Sequence, residues 1–114
     1  MADSGAKMLV FSNPVAGQED AFNEWYDTEH LAQVTAVPGV VGGRRFDVVP
    51  ASSTGGAPAH RYLAVYDLTG APDEVVKEFV ERAGSGEIGL SPALDMSTLA
   101  VSVWRPRGEP HTAE

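Results

Sequence analysis

One amphipathic segment, from Glu19 to Pro38, most constrains the fold of this chain. Its apolar and aromatic side chains recur at the spacing of a helix, and its first residues, Glu19 and Asp20, suit the positive end of a helix dipole. Pro38 and Gly39 end the helical pattern, and an apolar strand pattern over 40–49 follows directly. The glycine pair inside that strand, Gly42-Gly43, predicts a bulge or the close approach of another group.

The rest of the chain completes a simple order of elements. A helical stripe over 72–83 opens with Pro72 and stops at Gly84, and a Ser-, Gly- and Ala-rich stretch over 50–59 predicts a hairpin loop. Further strand patterns occur at 7–12, 60–68 and 97–105. The order β-α-β-β-α-β predicts an α+β, ferredoxin-like fold: a four-stranded antiparallel sheet with both helices on one face.

The strands are apolar on both sides, which a single layer of helices cannot cover. In the first strand, Leu9 and Phe11 alternate with Met8 and Val10. Because the second face of such a sheet must also be buried, we expect a homodimer in which two sheets pack together. The length of 114 residues predicts one domain over 1–114, with flexible tails at 1–6 and 107–114.

Composition excludes several functions. The net charge of −8 argues against nucleic acid and anionic membranes as partners, because both require a basic surface. The absence of cysteine excludes disulfides, thiolate catalysis and iron–sulfur clusters. The sequence contains no signal-like apolar core and no apolar run long enough for a membrane span. We therefore expect a cytoplasmic protein.

His30 is the strongest catalytic candidate, because an imidazole with a pKa of about 6.5 exchanges protons near neutral pH. Tyr26 and Gln33 lie four residues before it and three after it, and are its expected neighbours. The structural alternative is a histidine that bonds a backbone carbonyl at a helix end. The broad aromatic face beside His30 is predicted to comprise Phe22, Trp25, Tyr26, Glu29, Ala32 and Gln33.

Two further groups of polar residues are site candidates. Asn13 ends the first strand, where it can donate to a substrate carbonyl or enolate oxygen, or can simply form a turn. His60, Tyr62 and Tyr66 share one face of the third strand by alternation. If that face lies against the helices, the three residues join His30 in a substrate site. If it lies against a second subunit, they are interface residues, and periodicity leaves both open.

The sequence carries no recognisable metal or nucleotide signature. Its three histidines, His30, His60 and His111, lack the short spacing of metal ligands, so we expect no metal site. The glycines do not fit the strand–turn–helix context of a flavin or nicotinamide site. We expect no cofactor, although haem ligation by His30 or His60 stays open.

Several motifs together resemble the dimeric α+β barrel superfamily, with EthD-like proteins of actinobacteria as the nearest likeness. They cover the first half of the chain: Asn13-Pro14, Gly17, Glu19, Phe22-Asn23, Trp25-Tyr26-Asp27, Glu29-His30-Leu31, Val37-Pro38-Gly39 and Arg45-Phe46. The resemblance implies a ligand cavity between the sheet and the helices of each subunit. It also implies that the histidine near the end of the first helix, here His30, points into that cavity.

The resemblance and the residues together predict a small cofactor-independent enzyme that acts on a hydrophobic or aromatic carbonyl compound. The reaction would be that of a polyketide-type cyclase, an isomerase or a lyase, with a cofactor-free monooxygenase as a close variant. The alternatives are a non-catalytic, small-molecule-binding accessory dimer and a haem-binding protein. The predicted catalytic residues are His30, Asn13 and Tyr26. The predicted substrate-binding residues are Trp25, Phe22, Glu29, Gln33, Tyr62, Tyr66 and His60.

Overall fold

The computed structural model describes residues 3–49 and 58–113, and its elements follow the predicted order. Most of the loop expected at 50–59 lies outside the described residues. The strands pair antiparallel in the spatial order β2-β3-β1-β4, which confirms the ferredoxin-like α+β fold. Their bounds are β1 Asp3–Pro14, β2 Val40–Asp47, β3 Tyr62–Thr69 and β4 Leu94–Trp104.

Two helical rods connect these strands. The first, called here the long helix, comprises α1 (Glu19–Trp25), a π-helical turn (Tyr26–His30) and α2 (Leu31–Thr35) without a break. The second is α3 (Pro72–Ser85), which ends where Gly86 adopts a φ of 85°. Gly84 was the predicted stop, but Gly86 is the residue that supplies the left-handed cap. No helix within the described ranges is long and apolar enough to cross a membrane.

The helices pack on one face of the sheet, called here the inner face. Alternate residues of β1 and β3 point to this face and meet apolar side chains of both rods in one core. Each large side chain buried there contributes about 1.5–3 kcal/mol to folding. The buried set includes Met8, Val10, Ala64, Tyr66 and Leu68 from the sheet, Phe22 and Val34 from the long helix, and Val75 and Phe79 from α3.

The glycine pair in β2 has the structural consequence that the sequence predicts. The register of β2 against β3 shifts between Val40 and Gly42, which marks a bulge. A Cβ atom on Gly43 would lie only 2.7 Å from the ring of Tyr66. Glycine at this position therefore lets the Tyr66 ring lie directly against the backbone of the neighbouring strand.

The opposite side of the sheet, called here the outer face, also carries apolar side chains. Leu9, Phe11, Leu63 and Val65 lie on it half-buried, and Phe46 is 44% exposed. The register aligns Phe46, Leu63 and Phe11 in one row across three strands. Within the described part of the chain, helices pack on the inner face and not on the outer face. The apolar side chains of the outer face are therefore open to solvent in a single chain.

Strand ends differ from the prediction by two to four residues. β1 begins at Asp3 rather than at residue 7, because Asp3 already pairs with Thr69, and it extends through Pro14. β4 begins at Leu94 rather than at residue 97. β3 begins at Tyr62 rather than at residue 60, and this shorter strand changes the position of His60.

Candidate functional site

The π-helical turn of the long helix contains the main candidate site residues, Tyr26 and His30. In a π turn, successive residues are separated by a smaller angle about the helix axis than in an α turn. Residues spaced by four therefore stay on one side of the helix across this turn. The predicted face was therefore wrong for Glu29 and Ala32, which are exposed. Four residues at this spacing are buried on one side: Phe22, Tyr26, His30 and Val34.

His30 is enclosed by the residues around it, and its side chain is only 4% exposed. The indole of Trp25 stacks on the imidazole with ring centroids 4.4 Å apart, and the ring of Tyr26 meets it edge-on at 4.9 Å. Nδ1 lies 3.4 Å from Oε1 of Gln33. If Nδ1 carries the proton and donates it there, Nε2 presents a lone pair, and Nε2 makes no hydrogen bond within the described residues.

Burial controls the protonation of this imidazole. Desolvation lowers the pKa of His30 to about 4, and the weak bond to Gln33 offsets this only in part. The imidazole is therefore neutral at neutral pH. In this state His30 can act as a base, but it lacks the second proton that would let it act as an acid.

Two buried tyrosines belong to this cluster: the ring of Tyr26 contacts His30, and Tyr66 neighbours Tyr26. Burial raises the pKa of Tyr66, and the neighbouring Tyr26 raises it further. Burial also raises the pKa of Tyr26, against the smaller opposing effects of Tyr66 and Arg45. Both phenols are therefore protonated donors at neutral pH. The Tyr66 hydroxyl is buried and, among the described residues, has no partner that meets hydrogen-bond geometry, although Tyr26 lies close enough to affect its pKa.

Arg45, one of the residues that carry the family resemblance, closes the cluster from β2. Its guanidinium donates to Oδ1 of Asp27 at 2.8 Å and to Oδ1 of Asn23 at 2.7 Å. Its Cζ atom also lies 4.5 Å from the centroid of the Tyr26 ring. Strand alternation indicates that only one of Arg44 and Arg45 can reach the inner face, and the abundant carboxylates make an ion pair its expected contact. The pattern does not indicate which aromatic rings it contacts.

Of the aromatic residues predicted on the third strand, Tyr62 and Tyr66 lie on the inner face with the helices. The Tyr62 ring lies 5.4 Å from the Phe22 ring, and the Tyr62 hydroxyl accepts a hydrogen bond from Nδ2 of Asn23 at 3.3 Å. The long helix and β3 therefore bring together Phe22, Tyr26, His30, Tyr62 and Tyr66, with Trp25 and Gln33 at the sides of His30.

His60 does not join this group, so the prediction that it shares a face with Tyr62 and Tyr66 was wrong. Strand alternation does not extend to residue 60, because β3 begins at Tyr62. The imidazole of His60 instead lies 5.4 Å from the ring of Phe11, an outer-face residue. Its Nε2 lies 2.8 Å from the backbone carbonyl of Thr98.

Asn13 also lies away from His30. Its Oδ1 accepts the backbone N–H of Arg61 at 2.7 Å, and its Nδ2 donates to the carbonyl of Ala59 at 3.0 Å. These two bonds hold the chain that leads into β3, which is the structural use that the sequence left open. A single chain therefore does not bring Asn13 to His30, and their predicted cooperation has no geometric support.

Two cavities flank the sheet and the long helix. The outer-face cavity has a volume of about 330 Å³, and its walls include Phe11, Phe46, His60 and Leu63. The helix-side cavity has a volume of about 430 Å³ and lies between the long helix and residues 89–92. Both volumes are in the range of small-molecule sites. The walls of the helix-side cavity are formed by Ala21, Glu24, Trp25, Thr28, Glu29, Gly89, Leu90, Ser91 and Pro92.

The described residues do not fit a metal ion or haem. Within 3–49 and 58–113, no three histidine or acidic side chains are grouped as metal ligands. Nε2 of His60 is engaged with a carbonyl, and the imidazole of His30 is covered by Trp25 and Tyr26. In this arrangement the Nε2 of His60 is engaged and the Nε2 of His30 is enclosed, so neither Nε2 atom is open to a haem iron.

Comparison with known proteins identifies the class of fold. An EthD family protein of Bacillus halodurans has a TM-score of 0.64 at 15% identity, covering 90% of this chain and 98% of that protein. A candidate monooxygenase of Shewanella loihica has a TM-score of 0.63 at 11% identity, covering 96% and 100%. HapK of Hahella chejuensis has a TM-score of 0.54 at 16% identity, covering 95% and 99%.

These likenesses confirm the predicted EthD-like resemblance at the level of the fold. No protein-family profile matches the chain, and no curated protein matches its sequence. Because folds of this kind carry unrelated chemistries, the function has to be argued from the residues around His30.

Proposed function

We propose that this protein is a small cofactor-independent enzyme that moves a proton at the carbon beside a carbonyl group of a hydrophobic substrate. The observation that carries the proposal is a neutral, buried imidazole, His30, in edge-on contact with the ring of Tyr26. Next to Tyr26 lies the hydroxyl of Tyr66, which is buried and, among the described residues, has no partner that meets hydrogen-bond geometry. Buried polar groups without partners are rare in native proteins and are favoured where a ligand completes them.

His30 is the base in this proposal. Its Nε2 lone pair takes the proton from the α-carbon, the C–H bond breaks, and its electron pair moves to the carbonyl oxygen to give an enolate. A neutral imidazole with a pKa of about 4 is a weak base in the free protein. The developing enolate raises the pKa of the imidazolium, because opposite charges in a poorly solvated site stabilise each other. The imidazolium can then return the proton to a different atom of the substrate.

The tyrosine pair supplies the donor for the enolate oxygen. Both hydroxyls stay protonated at neutral pH, and Tyr26 also touches the ring of His30. A donor that bonds the oxygen more strongly as its charge develops lowers the barrier. The Arg45 charge, neutralised in part by Asp27, lies against the Tyr26 ring and favours negative charge nearby.

The fate of the enolate decides the reaction. Protonation at another carbon gives isomerisation, attack on a second carbonyl gives cyclisation, and loss of a leaving group gives elimination. Oxygenation is the second candidate, since the candidate monooxygenase of Shewanella loihica has the same fold. There, dioxygen would convert an activated CH₂ group to a carbonyl, with the second oxygen atom leaving as water.

Proton exchange tests the common first step without knowledge of the natural substrate. The protein is incubated with α-tetralone, an aromatic ketone, in D₂O, and loss of the α-proton signal is followed by NMR. We expect exchange above background, reduced by about 10²–10⁴-fold in His30→Gln. His60→Gln is the matched control and should leave the rate unchanged. Equal exchange in the parent and in His30→Gln would overturn the role of His30. Consumption of dioxygen would indicate the monooxygenase variant.

We also propose that the protein is a homodimer joined through the outer faces of two sheets. The aligned apolar row of Phe46, Leu63 and Phe11 supports this arrangement. In the described part of the chain, the helices pack only on the inner face, so a second sheet would be needed to cover this row. The dimer would then contain both cavities and two His30 side chains, one from each subunit. A monomer at working concentrations would contradict the proposal.

A further inference from the structure

The burial of His30 raises the question of how a substrate reaches it. Trp25 stacks on one side of the imidazole, Tyr26 meets it edge-on, and Gln33 lies at Nδ1. None of these three residues lines the outer-face cavity. Trp25 does line the helix-side cavity, together with Glu29, the residue before His30. The Trp25 side chain therefore contacts both His30 and a space large enough for a small ring compound.

The indole of Trp25 is held by ring packing and not by a hydrogen bond. Its neighbours are the rings of Phe22, Tyr26 and His30, and its Nε1–H makes no hydrogen bond within the described residues. By contrast, Nε1 of Trp104 donates to Oγ of Ser102 at 2.8 Å. Displacing Trp25 would cost ring contacts but would not leave a broken hydrogen bond.

The opposite wall of the cavity is fixed at both ends. Ile88 and Ala93, which flank residues 89–92, are buried, and the carbonyl of Ala93 accepts the N–H of Val15 at 2.7 Å. Between these anchors, Leu90 presents an apolar side chain that is 39% exposed. A planar ligand can therefore lie between the apolar wall of residues 89–92 and the indole.

The charges at the rim restrict the ligand. The carboxylates of Glu24 and Glu29 line the same cavity and form no ion pair within the described residues. Like charges repel each other, so a ligand with a carboxylate or phosphate is disfavoured there.

We propose that the helix-side cavity is the substrate entrance, and that a planar, uncharged or cationic ring compound reaches His30 by displacing the Trp25 indole. This inference rests on the proposed function, for which it gives the route and the charge class of the substrate. Displacement of the indole opens the imidazole to the ligand, whose α-carbon then has to lie in the plane of the ring at Nε2, where the lone pair points.

Chemical modification of His30 tests the route without any assay of activity. Diethyl pyrocarbonate reacts with neutral imidazoles, and the rate at each histidine is read from peptide masses. We expect His30 to react at least about fivefold faster in Trp25→Ala, because the covering ring is gone. Trp104→Ala is the matched control and should leave the rate at His30 unchanged. Leu90→Trp, which fills the cavity, should slow the reaction below that of the parent. Unchanged rates in both Trp25→Ala and Leu90→Trp would overturn the proposal.

Ligand protection tests the charge class. α-Tetralone, an uncharged aromatic ketone, should protect His30 from modification, and 2-naphthoate at the same concentration should not. In Trp104→Phe, where Trp25 is the sole tryptophan, α-tetralone should also change the fluorescence. Equal protection by both compounds would overturn the charge class.

If protection occurs but His30→Gln retains full proton exchange, the route stands and the proposed catalysis fails. If His30→Gln loses exchange but Trp25→Ala leaves the reactivity of His30 unchanged, the catalysis stands and the route fails.

Discussion

The two histidines beside the sheet have opposite surroundings. His30 lies on the inner face among aromatic rings, and its Nε2 has no hydrogen-bond partner among the described residues. His60 lies toward the outer face, and its Nε2 meets a backbone carbonyl at 2.8 Å. The Nε2 of His30 can therefore react with a ligand, whereas the Nε2 of His60 is occupied by a contact that holds a loop. The presence of a histidine near a sheet therefore says little until its hydrogen bonds are known.

The same division applies to the two faces as a whole. The inner face has a closed core in which, among the described residues, the buried Tyr66 hydroxyl has no partner that meets hydrogen-bond geometry. The outer face has apolar side chains that lack cover, among them Phe46. Unpaired polar groups suit a small ligand, whereas uncovered apolar area suits another protein surface.

The largest expected effect contrasts one phenylalanine from each face. Phe22 is fully buried, and Phe22→Ala should lower the free energy of unfolding by about 3–5 kcal/mol, because it leaves a cavity in the core. Phe46→Asp should leave each subunit folded but dissociate the proposed dimer. Denaturant titration and native mass spectrometry at one protein concentration measure the two effects. A Phe46→Asp variant that remains dimeric would remove the outer face as the interface.

The next effect concerns pH and separates the two histidines. Burial lowers the pKa of folded His30 from about 6.5 to about 4, so the unfolded chain binds a proton more readily than the folded protein does. Stability should be complete above about pH 6.5 and should fall toward pH 4, by roughly 2–3 kcal/mol from this group. Denaturant titrations across this interval measure the loss.

Carboxylates titrate in the same interval, so the contribution of the imidazole is obtained as a difference between proteins. His30→Gln should flatten the pH dependence relative to the parent, and His60→Gln should keep the loss that comes from His30. If His30→Gln and the parent have the same pH dependence, His30 is not buried in its neutral form.

The smallest effect has the opposite sign. Tyr66→Phe removes a buried hydroxyl without a partner, so stability should stay equal or rise by about 1 kcal/mol, while proton exchange on α-tetralone slows. Tyr62→Phe is the control: its hydroxyl bonds Asn23, so stability should fall slightly. A clear loss of stability in Tyr66→Phe would mean that its hydroxyl has a partner in the protein and is not kept free for a ligand.

Much of the fold could be predicted from local patterns. The helical period, the stop at Pro38-Gly39 and the alternation in β1 gave the element order, and Gly42-Gly43 gave the bulge. The predicted ends were less accurate. β1 gains residues 3–6 because Asp3 finds a partner in Thr69, and pairing with a distant strand is not visible in a local pattern.

The candidate site was only partly predictable. His30 and its neighbours Trp25, Tyr26 and Gln33 follow from spacing along one helix, and the structure brings them together. The exposure of Glu29 could not be predicted, because a π-helical turn changes the angle between successive residues and depends on how the helix packs.

The sequence by itself therefore determined the order of the elements, the two-sided strands and the identity of the central histidine, since these depend on residues close together in the chain. The tertiary structure alone decided which residues of other elements join the cluster and which stay away from it. It placed Arg45 and Tyr66 in the cluster with Tyr26, moved His60 toward the outer face and occupied both polar ends of Asn13. These outcomes depend on strand register and on burial, which arise when distant segments pack together and have no counterpart in local spacing.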